Sequence, residues 1–184
     1  MKEILPILLI FACGTSAQAS PQEISADDAV RVHEFYRLAE QVQNKIWPGW
    51  DKVPAPVLLL TTDREFRTHH PEPPAGFTKV GEGFYTRARQ FPANLLATFP
   101  AFGPPSVIVI GEPKNTTDKT STPWLITLMH EHFHQLQNAQ SGYFQAVEDL
   151  GLSRGDKSGM WMLNFPFPYE QKEVAQAFAK LRDS

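Results

Sequence analysis

The chain has 184 residues, a formal net charge of −3, 13 Phe, 4 Trp and a single cysteine, Cys13. That much aromatic and aliphatic side chain argues against a disordered polypeptide and is enough for one sizeable core. With no basic patch and no Lys/Arg run interleaved with aromatics, nucleic acid is not an expected partner, and a lone thiol leaves no internal disulfide to staple the fold.

In chain order, Met1-Lys2 precedes the apolar run Ile4 to Ala12, which is too short to remain as a bilayer-spanning helix. Ala17-Gln18-Ala19 follows as a small-residue cleavage signal, so residues 1–19 are expected to be a signal peptide and residues 20–184 a single exported domain, periplasmic or secreted. The alternative rests on Ile10-Phe11-Ala12-Cys13, which resembles a bacterial lipobox and would make Cys13 a lipidated N-terminus. No later segment is apolar for long enough to cross a membrane.

Ser25-Ala26-Asp27-Asp28 opens an expected helix carrying Val30, Phe35, Leu38, Val42 and Ile46, and Trp47-Pro48-Gly49-Trp50 stops it. Val57 to Thr61 reads as a buried strand between prolines and Asp63. His69-His70-Pro71-Glu72-Pro73-Pro74 reads as an exposed loop. Phe77 to Arg89 alternates as one or two strands, with Gly81 and Gly83 at a turn or bulge. Asn94 to Phe99 and Ser106 to Ile110 read as a strand pair around the Pro100 to Pro105 turn. A polar loop, Gly111 to Thr120, then leads to a helix. Ser121 and Thr122 are its cap candidates, Pro123 suits its first turn, and Gly142 is its expected stop. The expected fold class is therefore α+β: an N-terminal amphipathic helix, a small mixed twisted sheet over residues 57–110, and this last helix packed across it.

That helix carries His130-Glu131-His132-Phe133-His134, a match to H-E-x-x-H. Residues i and i+4 stand one above the other on a helix, so His130 and His134 can present two imidazoles to one metal ion. Glu131 lies about 100° around the helix from His130, within reach of a water on that metal without taking a ligand position. Zinc lowers the pKa of such a water to about 7, and a neighbouring carboxylate accepts its proton as a carbonyl is attacked. Leu125, Leu128, Met129 and Leu136 gather on one side with His132 among them, so His132 is expected to be a hydrogen-bonded core residue. His33-Glu34 begins in the same way, but Arg37 stands where a second histidine is required, so that pair is expected to be helix surface.

A mixed sheet segment leading into an H-E-x-x-H helix resembles the zincin superfamily of metallopeptidases, over Thr122 to Gly142. The resemblance implies His130 and His134 as ligands of one zinc ion and Glu131 as the general base. It also implies a peptide or protein substrate and a preceding strand that edges the cleft and pairs with it. Gln137 and Gln140 stand where the metzincin pattern carries Gly and His, which excludes that subclass. The gluzincin pattern takes a third ligand from a later helix. Glu148 follows His134 too closely, leaving Asp156, Glu170 and Glu173. Each has an ordinary reading: Asp156 as turn chemistry, Glu170 and Glu173 as carboxylates favoured in a first helical turn. The ligand is also expected to be absent if the chain, whose segment Val174 to Leu181 reads as a helix cut short, is a truncated zincin. Tyr143 and Tyr169 are available as oxyanion stabilisers. The expected function is an exported zinc-dependent hydrolase, a metallopeptidase. The alternative is a non-catalytic zincin-like module that binds metal or protein.

Overall fold

The computed structural model describes residues 23–69, 75–156, 160–163 and 165–183. The expected signal peptide, Cys13 and His70 lie outside the described residues. Helix α1 (Ala26–Ile46) comes first. Strands β1 (Val57–Leu60), β2 (Arg64–Thr68), β3 (Thr78–Lys79), β4 (Phe84–Ala88), β5 (Leu96–Phe99) and β6 (Val107–Gly111) follow. Helices α2 (Ser121–Asn138), α3 (Tyr143–Asp149), α4 (Met160–Leu163) and α5 (Lys172–Arg182) complete the chain. This is the expected α+β class.

Helix α1 starts where the sequence places it. Ser25 is the N-cap, its Oγ accepting from the Asp28 N–H at 3.1 Å, and Asp27 and Asp28 complement the positive end of the helix dipole. Its buried stripe is Asp28, Val32, Phe35 and Ala39, which corrects the expected one. Val30 is 66% exposed because it stands about 140° around the helix from Phe35. Ile46 is in phase with Phe35 but lies in the last turn, past the buried stretch, and is 61% exposed.

The six strands form one sheet in the order β3-β4-β2-β1-β6-β5. Only β1 and β6 run parallel; the other neighbours are antiparallel. This central pair, Val-Leu-Leu-Leu beside Val-Ile-Val-Ile, is buried on both faces, which explains why it reads as continuous apolar runs rather than as alternation. Val57, Leu59, Ile108 and Ile110 pack with Phe35, Trp124 and Leu128 beneath the helices. Leu58, Leu60, Val107 and Val109 face the other way, into a second core walled by Phe77, Phe91, Phe99 and Phe102.

Strand β2, Arg-Glu-Phe-Arg-Thr, is not signalled by the sequence, because its polar residues are the buried ones. Glu65 is fully buried and paired with Arg87, and it also accepts from the Gln90 N–H at 3.1 Å. Among the described residues, none of the guanidinium nitrogens of Arg67 has a hydrogen-bond partner. The charge lies over the Phe102 ring, 4.5 Å from its centroid, an attraction that offsets part of its desolvation.

Helix α2 crosses the sheet antiparallel to β6 and is tied to it at both ends. The Trp124 indole Nε1 donates to the Gly111 carbonyl at 2.9 Å, and Gln135 Nε2 donates to the carbonyls of Pro56 (3.1 Å) and Ser106 (2.8 Å). Its limits differ from expectation. Thr120 is the N-cap and makes no side-chain cap bond, while Ser121 Oγ is used elsewhere, accepting from Arg31 Nε at 3.0 Å. The helix ends at Asn138. Gly142, in the left-handed region at φ 75°, opens α3 instead of closing α2.

Leu128, with no exposure, sits where α2 meets the sheet. Leu128→Ala is expected to lower the unfolding free energy by about 2–5 kcal/mol through lost burial and the cavity it leaves. Urea titration followed by circular dichroism measures this, and a loss below about 1 kcal/mol would mean that the helix does not depend on this contact.

Candidate metal centre

His130, Glu131 and His134 form the one group of three His, Cys, Asp or Glu side chains among the described residues whose ligand atoms all lie within 4.8 Å of one another. Their local geometry follows from the helix. His130 is exposed, His134 is half-buried one turn on, and their rings stand at 88° with Nε2 facing Nε2 at 3.1 Å. A tetrahedral ion with Zn–N bonds of about 2.0–2.1 Å would set two nitrogens about 3.3–3.4 Å apart, so the pair already spans close to a zinc bite.

The tautomer is also set. His134 Nδ1 lies 2.7 Å from Gln137 Oε1, an atom that can only accept, so the ring proton sits on Nδ1 and the Nε2 lone pair is directed at His130. Two ring nitrogens this close need a proton or a cation between them. The amide of Gln137 thus does for His134 what a carboxylate or carbonyl does behind many metal-bound histidines.

Glu131 is 7% exposed and turns toward the sheet edge. Thr98 of β5 meets it there, its hydroxyl 2.6 Å from Glu131 Oε2 and 3.2 Å from the Glu131 main-chain carbonyl. A hydroxyl has one proton, so the shorter contact to the carboxylate is the bond that forms. Neither the burial of Glu131 nor the role of Thr98 was legible in the motif. Thr98 lies 33 residues away, and only the β5–α2 packing brings the two together.

His132 occupies the opposite side of the helix, fully buried as the sequence implies. Its ring lies edge-on to Phe35 and beside Trp50, with Nδ1 2.9 Å from Gln135 Oε1 and Nε2 2.9 Å from Gln43 Oε1. Burial pushes its pKa below the ordinary histidine value, against the opposing bond to Gln135. Since the Gln135 amide nitrogen is committed to two carbonyls, its oxygen accepts from Nδ1–H. His132 therefore joins α1, α2 and the sheet and takes no part in the histidine pair.

No other His, Asp or Glu among the described residues joins the group. Asp156 accepts from the Trp161 N–H at 2.9 Å, ahead of α4. Glu173 is an exposed carboxylate in the first turn of α5, and Glu170 lies exposed in the turn before it. Tyr143 packs against Phe144, and Tyr169 against Phe167 and Phe178. His33 is exposed on α1 beside the Glu34–Arg37 ion pair, as expected of helix surface. His69 lies exposed in the loop after β2, one ring face against Tyr36 at 3.7 Å.

Among known proteins, no family model, no characterised sequence and no solved structure matches this chain, so what it can do is argued from the histidine pair, the carboxylate and the strand beside them.

Proposed function

We propose that the chain is an exported zinc hydrolase of the zincin type that cleaves peptides. The observation that carries the reading is the convergence of two imidazole Nε2 atoms at 3.1 Å with a buried carboxylate beside them. Acceptor placement agrees with it, since Gln137 directs the free lone pair of His134 inward. In this reading His130 and His134 would hold the zinc, which would supply an activated water and a polarised carbonyl. Glu131 takes the proton from the attacking water and returns it to the leaving amine. Oε2 is engaged by Thr98, which leaves Oε1 for that transfer.

Strand β5 supports a peptide as the substrate. Among the described residues it is an edge strand of the sheet, and it carries the threonine that touches Glu131. An extended backbone added to that edge would be held by main-chain hydrogen bonds and would run past the histidine pair. The apolar leader and the Ala17-Gln18-Ala19 signal support export.

Purified protein is expected to carry close to one zinc per chain by metal analysis. It should cleave a peptide library in a reaction that stops with chelator and resumes with added zinc. Stoichiometric zinc without turnover would leave the non-catalytic metal-binding module as the reading. A protein that acquires no zinc would overturn both.

A further inference from the structure

We propose that Thr98 is a positioning residue that keeps Glu131 out of the metal's coordination sphere and so makes it a base rather than a third ligand. The inference rests on the hydrolase reading and adds a residue that the H-E-x-x-H motif does not contain.

The geometry poses a choice for Glu131. One of its carboxylate oxygens lies within 4.8 Å of the ligand nitrogens of His130 and His134. A carboxylate ligand needs about 2.0–2.2 Å to zinc, a distance that a change of rotamer in so flexible a side chain can supply. A two-histidine ion with no other His, Cys, Asp or Glu donor at hand among the described residues would draw it in. Once bound to the ion, the carboxylate would lose the basicity that proton transfer needs. The helix places the carboxylate beside the ion's water, and a partner that fixes its rotamer keeps it there.

The Thr98 hydroxyl is placed to do so. Its 2.6 Å bond to Oε2 has the length of a charge-assisted hydroxyl–carboxylate bond and is made at a nearly buried carboxylate, where little water competes. The anchor is rigid at both ends. Thr98 lies in strand register with Ile108, a fully buried residue of β6. Helix α2 is tied to the same part of the sheet through Gln135 to the Ser106 carbonyl at 2.8 Å and Asn138 Nδ2 to Ser106 Oγ at 3.1 Å. The position of the hydroxyl is thus set by packed elements rather than by a loop, which positioning a reactive group requires.

The test uses Thr98→Val, which keeps the β-branched shape and removes the hydroxyl, with Thr98→Ser restoring the donor. Cobalt(II) loaded in place of zinc reports coordination through its visible absorption, independently of turnover. In Thr98→Val the cobalt spectrum is expected to shift as Glu131 supplies an oxygen ligand. The shift should vanish when Glu131→Gln is added and be reversed in Thr98→Ser, the coupling expected of two groups acting on each other. With zinc, kcat for peptide hydrolysis should fall by about 10²–10⁴-fold, the contribution of a positioned general base. KM should stay within about twofold, because substrate binding does not use the hydroxyl.

A Thr98→Val protein with the wild-type cobalt spectrum overturns the proposal whatever its turnover. So does a Thr98→Ser protein that behaves like Thr98→Val. If the wild-type chain binds cobalt but cleaves no peptide, the hydrolase reading fails, while the spectral comparison still decides whether Thr98 holds Glu131 away from the ion.

Discussion

Glu131→Gln is expected to leave zinc bound and to lower peptide turnover by about 10²–10⁴-fold, the contribution of a positioned general base. The substitution suits the site. Glutamine matches glutamate in shape, and its amide oxygen can still accept from the Thr98 hydroxyl that lies 2.6 Å from Oε2, so the nearly buried position keeps its hydrogen bond and the helix its packing. What is lost is the ability to take a proton. Because His130 and His134 are untouched, zinc per chain should match the parent, and single-turnover kinetics with a fluorogenic peptide should show the loss in the chemical step rather than in KM. Retention of full activity would remove Glu131 from the chemistry. Loss of zinc together with activity would mean that this carboxylate is already a ligand.

His130→Ala and His134→Ala should each remove most of the bound zinc, because either leaves one imidazole on the helix. The fall in affinity should exceed the ~10–100-fold typical of losing an outer partner of a metal site. Both histidines lie outside the core clusters, His130 being exposed, so the fold should persist, and a circular dichroism spectrum like the parent's would separate loss of zinc from loss of structure. Competition against a chromophoric chelator gives the affinities. Zinc that survives both substitutions would have to be held elsewhere, and the function proposed from this pair would fall with it.

Much of this protein is legible in its sequence. The i, i+4 histidines, the helix that carries them, the apolar pair Val57–Leu60 and Val107–Gly111, and the buried place of His132 all follow from periodicity and spacing, which are local. Local patterns failed where burial runs against residue type. Arg64–Thr68 gives no strand signal because Glu65 and Arg67 are buried by pairing and stacking rather than by being apolar. Val30 and Ile46 look like core residues in a list and lie exposed on the helix.

The motif by itself determined which three side chains stand within reach of one ion, because a helix fixes the separation of i, i+1 and i+4. It did not determine how the carboxylate is used. The edge position of β5 beside α2, the burial of Glu131 and the hydroxyl of Thr98 depend on β5 pairing outside β6 and on α2 crossing that pair, contacts between segments 33 residues apart. Such contacts are set by how layers pack, and no repeat along the chain encodes them. Tertiary structure likewise leaves Asp156, Glu170 and Glu173 outside the group, because a third ligand is chosen by where later segments dock and not by how many residues separate them from His134.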